Sequence, residues 1–99
     1  MTYLVQILLP LTGTPSASAV YEDLARDLTG RFGGVTSYLR APAEGRWKTA
    51  SRVEQDEITV VEVMVDTIDH NYWTDVRSHL EAALNQSQVV IRAQGVTLL

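Results

Sequence analysis

Cysteine is absent from this chain, which removes disulfides, thiolate nucleophiles and cysteine-ligated metals together. Long apolar runs are absent as well: no segment approaches the roughly 18 consecutive apolar residues that mark a bilayer span. The short run from Tyr3 to Leu9 has no basic stretch ahead of it and is interrupted by Gln6, so it does not read as a signal peptide. The expectation is a cytoplasmic protein with no membrane partner. Positive charge is scarce, with eight Lys and Arg against twelve Asp and Glu and a formal net charge of −4. An acidic chain lacks the basic footprint of a nucleic-acid binder. The local cluster of Arg46, Lys48 and Arg52 beside Trp47 is diluted by Glu44, Glu54, Asp56 and Glu57, and reads as a solvated loop.

What is present is organised around Phe32 to Trp47, FGGVTSYLRAPAEGRW. Gly33 and Gly34 follow the last apolar residue of a helical pattern, where a helix stops in the left-handed conformation. Val35, Ser37, Leu39 and Ala41 then alternate with Thr36, Tyr38 and Arg40. Pro42 cannot donate to a ladder and ends that strand. The polar stretch from Pro42 to Asp56 reads as a long loop.

The remaining elements follow from the same periodicities. Residues 3–9 and 57–65 are strands apolar on both faces, the mark of central strands covered on two sides. Residues 88–94 form a further strand, broken by Gly95. Ala17, Val20, Tyr21, Leu24, Leu28 and Phe32 share one helical stripe over 15–31, with Thr14 as N-cap and Pro15 at the first helical position. Within it, Glu22–Arg26 and Asp27–Arg31 have the i,i+4 spacing of exposed ion pairs. A second stripe (Trp73, Val76, Leu80, Ala83, Leu84) covers 69–85, capped by Asp69. At 99 residues the chain has the length of one domain, 1–99.

The element order is β-α-β-β-α-β. Two right-handed crossovers predict an α+β, ferredoxin-like fold: a four-stranded antiparallel sheet of order 4-1-3-2 with both helices on one face. The other face then carries Leu4, Gln6, Leu8, Thr36, Tyr38, Arg40, Ile58, Val60, Glu62, Met64, Val90, Arg92 and Gln94. It is too apolar to be left in water, and either a second subunit or the loop carrying Trp47 is expected to cover it. The runs FGGVTSYLRAPAEGRW, VVEVMVDTIDHNYW and VVIRAQGV resemble a family of small uncharacterised bacterial proteins. That resemblance implies a ferredoxin-like fold and no assigned activity. A two-subunit sandwich of such sheets is also similar to the dimeric α+β barrel enzymes and sensors, an analogy of fold alone.

No motif implies a cofactor, and no serine has a recognisable His/Asp partner. His70 and His79 lie nine residues apart, roughly 180° around one helix, and cannot share a metal within one chain; no metal is expected. Asp66 and Asp69 are explained by capping and the helix dipole. The open-face polar set stands apart. Glu62 sits among valines and a methionine on a central strand, where no strand propensity asks for an acid. Burying it or Arg92 unpaired would cost several kcal/mol. Gln6, Tyr38, Arg40, Glu62 and Arg92 are therefore the candidate ligand-binding residues, with Ile58, Met64 and Leu8 as an apolar wall. Glu62, Tyr38 or His70 is the candidate acid–base group if the protein is an enzyme. The expected function is binding of a small organic molecule, with or without chemistry on it, in a pocket on this face of a homodimer. The alternative is a non-catalytic module whose sheet face makes an oligomer.

Overall fold

The computed structural model describes residues 1–10, 17–34, 36–37, 43–48 and 53–99. Their order is β1 (Thr2–Pro10), α1 (Ala17–Phe32), β2 (Thr36–Ser37), β3 (Ala43–Lys48), β4 (Val53–Val65), α2 (His70–Ala83) and β5 (Val90–Val96). The three long strands run β4-β1-β5 and are antiparallel. β2 and β3 both pair antiparallel with β4, giving five strands in one sheet, ordered β2-β4-β1-β5 with β3 off that path on β4.

This corrects the expected four-stranded sheet of order 4-1-3-2. Ala43–Lys48, read as loop, is a strand, and β4 begins at Val53 rather than Glu57. The reason is physical. Beyond the Pro10↔Ile58 pair, the partner of β4 among the described residues is β3, from Ala43↔Ile58 to Lys48↔Val53. This two-stranded arm projects past the three-stranded centre and, among the described residues, has no helix layer beneath it. Its sequence therefore needs no alternation of apolar and polar residues. Thirteen residues of strand span about 43 Å at ~3.3 Å per residue, which matches the 44 Å long axis of the molecule. β3 joins the sheet as a strand paired with β4.

Other boundaries move less. Gly95 does not break β5: Tyr3↔Gly95 and Thr2↔Val96 both pair. The expected cap at Thr14 and Pro15, and most of the expected strand 35–41, including Tyr38 and Arg40, lie outside the described residues.

The core lies between the sheet and the two helices. Val5, Ile7 and Leu9 of β1 and Val61, Val63 and Val65 of β4 are buried against Leu24 and Leu28 of α1 and Trp73 and Leu80 of α2. Each such side chain contributes about 1.5–3 kcal/mol on burial. Both helices end on residues in the left-handed region. Gly33 has φ +86° and donates its N–H to the Thr29 carbonyl at 2.8 Å. Asn85 has φ +53°, and it and Gln86 donate to the carbonyls of Ala82 and Glu81, which is the Schellman pairing. α2 starts at Asp69, whose carboxylate accepts the Tyr72 N–H at 3.1 Å, as its sequence position predicts.

The two helix ends meet in an aromatic cluster. Phe32 stacks on Trp73 at 5.6 Å between ring centroids, and Tyr72 meets both rings edge-on. Arg31 lies 3.9 Å over the Tyr72 ring and 3.7 Å from the Asp69 carboxylate. Thus Arg31 pairs across to α2 rather than along α1 with Asp27, and Arg26 meets Asp23 at 3.1 Å rather than Glu22. Burial raises the Tyr72 hydroxyl above its ordinary pKa of 10.0; Arg31 opposes that shift and Asp27 adds to it.

Two outcomes follow from these contacts. Gly33→Ala will destabilise the chain by about 1–2 kcal/mol, the cost of a left-handed backbone for a residue with a Cβ, because a Cβ there meets nothing within 4 Å. Gly34→Ala, where φ is not positive and space is equally open, will cost less; urea unfolding of both variants measures the difference. For Tyr72, the folded-state pKa lies above the unfolded one. Its contribution to stability is therefore complete below pH ~10 and lost as pH rises through the folded value. Absorbance titration of the tyrosinate band will show Tyr72 titrating above 10.0, and Tyr72→Phe will remove that transition.

Candidate ligand site on the open sheet face

The register of the three long strands sets a row of polar side chains across the face away from the helices. Gln6 lies opposite Glu62 on one side and Arg92 on the other. Its amide nitrogen donates to the Glu62 carboxylate at 2.5 Å, and its carbonyl accepts from Arg92 Nε at 2.9 Å. One side-chain amide thus joins a carboxylate to a guanidinium two strands away. The amide can face only one way: turned over, it would set its carbonyl against the carboxylate and its N–H₂ against the guanidinium. Hydrogen bonds of this charge-assisted kind are stronger than neutral ones. Of the five expected ligand-binding residues, the structure brings Gln6, Glu62 and Arg92 together, while Tyr38 and Arg40 lie outside the described residues.

Beyond Glu62 the row reaches the sheet edge, where Thr36 of β2 sits opposite Glu62. Among the described residues, β2 pairs with β4 at Val61 and Glu62. Past its end a cleft of about 500 Å³ opens, walled by Leu4 and Met64 on the face, by Glu62 and Thr36, and by Phe32, Gly33 and Gly34 as the chain leaves α1. Its size is that of a small-molecule site, about 300–1,000 Å³. Leu4 is half-buried, while Met64 remains 54% exposed. Ile58 and Leu8, expected as apolar wall, are not among the residues lining this cleft.

Sequence reasoning passed over the contribution of Phe32, Gly33 and Gly34. The paired glycines carry the signal, but a helix stop accounts for them so completely that a second use as cleft wall leaves no separate mark. A Cβ at either position would meet nothing within 4 Å, so their place in the cleft wall does not depend on a close backbone approach.

His70 is not part of this arrangement. It is the first residue of α2 and lines a recess of about 240 Å³ with Trp73, Thr74, Arg77 and the Ile91–Ala93 stretch of β5. Trp73 and Val5 in that recess belong to the core between helices and sheet, so it opens on the helix side. His79 lies in a third depression, between α1 and α2. Glu62 and His70 are therefore not brought together within one chain. Among the described residues, no group of three His, Cys, Asp or Glu side chains could hold a metal ion, and no helix is long and apolar enough to cross a membrane.

No family model matches the sequence, and no curated protein matches it either. Solved structures do. The periplasmic divalent cation tolerance protein CutA from Archaeoglobus fulgidus matches with a TM-score of 0.60 and 14% identity, over 97% of this chain and 84% of that one. The divalent cation tolerance protein Cut A1 from Thermus thermophilus matches with a TM-score of 0.65 and 14% identity, over 99% and 86%. CutA from Xylella fastidiosa matches with a TM-score of 0.64 and 17% identity, over 98% and 85%. The structural likeness therefore does not stop at uncharacterised proteins. At these identities it establishes the fold: the chain has the α+β, ferredoxin-like architecture of the CutA divalent cation tolerance proteins.

Proposed function

We propose that this chain is a CutA-like binding protein that takes a small, largely apolar molecule bearing a hydrogen-bond donor into the cleft beside Glu62. The observation that carries the reading is the adjacency of that carboxylate to a cleft of about 500 Å³ at the edge of the sheet. Glu62 is held from behind by Gln6, so its orientation is set before a ligand arrives, which lowers the ordering cost of binding. Leu4, Phe32 and Met64 supply apolar surface, and Thr36 supplies a second polar anchor. Tyr38 and Arg40, which follow Thr36 in sequence, remain candidates for the same polar end, and Glu62 for any acid–base step. The names of the structural neighbours speak of divalent cation tolerance.

A second reading, assembly through the open face, is favoured by its own observation. Met64 is 54% and Val90 42% exposed on a face that also carries half-buried Leu4, Leu8, Ile58 and Val60. Exposed apolar patches of this kind mark interaction sites, and the occupant proposed is a second copy of this chain in the cytoplasm. The two readings are compatible, because a second copy over this face would roof the cleft.

Both have direct tests. Titration with a panel of phenols and aryl amines, followed through the Leu4 and Met64 methyl resonances, will show saturable shifts that weaken about tenfold in Glu62→Gln, the loss of one charged hydrogen bond. Binding that is unchanged in Glu62→Gln would refute the cleft. For assembly, light scattering at micromolar concentration will report a dimer or larger species, and Met64→Asp with Val90→Asp will shift it toward monomer. A wild-type chain that stays monomeric would eliminate the second reading.

A further inference from the structure

The depression between the two helices has a composition unlike the cleft on the sheet. It is a groove of about 540 Å³ on the outer surface of the helix layer. Because Phe32 of α1 meets Tyr72 and Trp73 of α2, the helices run past each other in opposite directions. The groove follows them from Val20 to Arg31 on α1 and from Tyr72 to Ala83 on α2, about 16 Å at ~1.5 Å per residue. Its floor is apolar: Leu24 and Leu80 are buried, and Val20 and Val76 half-buried. Its rim is acidic, with Asp23 and Asp27 on one wall and Asp75 on the other, all exposed.

The rim chooses the occupant. Arg31, the only Lys or Arg among the described residues lining the groove, is already engaged with Asp69 and the Tyr72 ring. The Asp23 contact to Arg26 is between two side chains about 70% exposed, an interaction worth little in water. The groove therefore presents net negative charge over an apolar floor. A single metal ion does not fit that pattern, since no three of these side chains converge on one point. Asp23 and Asp27 instead stand one helical turn apart, about 6 Å along the axis, which is close to the separation of two ammonium groups on a short alkyl chain.

We infer that the groove between α1 and α2 is a binding site for a linear aliphatic polyamine, whose methylenes lie along Val20, Leu24, Val76 and Leu80 while its ammonium groups meet Asp23, Asp27 and Asp75. The length of the groove favours an extended ligand, and the charge on its rim favours a multiply cationic one. The site is separate from the cleft beside Glu62 and does not depend on the proposal made for it. His79 also lines the groove.

Calorimetric titration of the full chain with spermidine at low ionic strength tests the inference. The expected result is saturable binding, weakened about tenfold in Asp27→Asn/Asp75→Asn by loss of two exposed ion pairs. Butylamine, with one charge, will bind more weakly than spermidine, and Val76→Ser will weaken spermidine through the floor. Glu62→Gln will leave spermidine binding unchanged, which separates failure here from failure of the sheet-face cleft. Three results would overturn the inference: no binding at millimolar spermidine, equal binding by the double variant, or displacement by Mg2+ at matched ionic strength as effective as displacement by a diamine. The last would mean diffuse attraction to an acidic surface.

Discussion

The register of β1 is the constraint on which the rest of this structure depends. Val5, Ile7 and Leu9 must face the helices, and period two then sends Leu4, Gln6 and Leu8 to the other side. A slip of one residue would exchange the two sets and bury the Gln6 amide in the core. With the register held, Gln6 meets Glu62 on β4 and Arg92 on β5, and the charged pair is satisfied through one neutral side chain. The polar row therefore costs little on a face with much apolar surface, and it specifies the alignment of three strands at once.

The helix layer is held by a different contact. Phe32, Tyr72 and Trp73 close the end where α1 stops and α2 begins, and Arg31 ties the cluster to the Asp69 cap. Fixing that end sets where the chain emerges from α1. The emergence point in turn places Gly33 and Gly34 along one wall of the cleft beside Glu62. The same closure holds the two helices side by side and leaves the groove between them. Both recesses are consequences of how α1 ends.

Structural likeness to the CutA proteins gives this arrangement a context without assigning chemistry to it. The matches extend over nearly the whole chain, at identities of 14–17% where most side chains differ. Function therefore has to be argued from this chain's own residues, which here means one carboxylate beside a cleft and an acidic groove over an apolar floor.

Much of the architecture is legible in the residues. Two stripes of period 3.6 and three strands of period two mark the helices and the β4-β1-β5 centre, because each has a face that must leave water. Gly33 and Asp69 mark helix ends because the backbone at those points needs their particular chemistry. Glu62 is conspicuous for its apolar neighbours, and strand alternation places Gln6 and Arg92 on its side of the sheet. The arm of β3 and the start of β4 left no such trace, since a ladder with no helix layer beneath it among the described residues places no demand on hydrophobic pattern. A pocket on the face of Glu62 and Met64 was expected, but the cleft's extension to Phe32, Gly33 and Gly34 and the inter-helix groove left no mark. Both are spaces between elements, bounded by residues whose local roles as helix stop, cap and exposed acid were already sufficient. Sequence determined which faces would be buried, because that is a property of each segment's own periodicity. Only the tertiary structure decided where two faces fail to close, because a gap belongs to no segment.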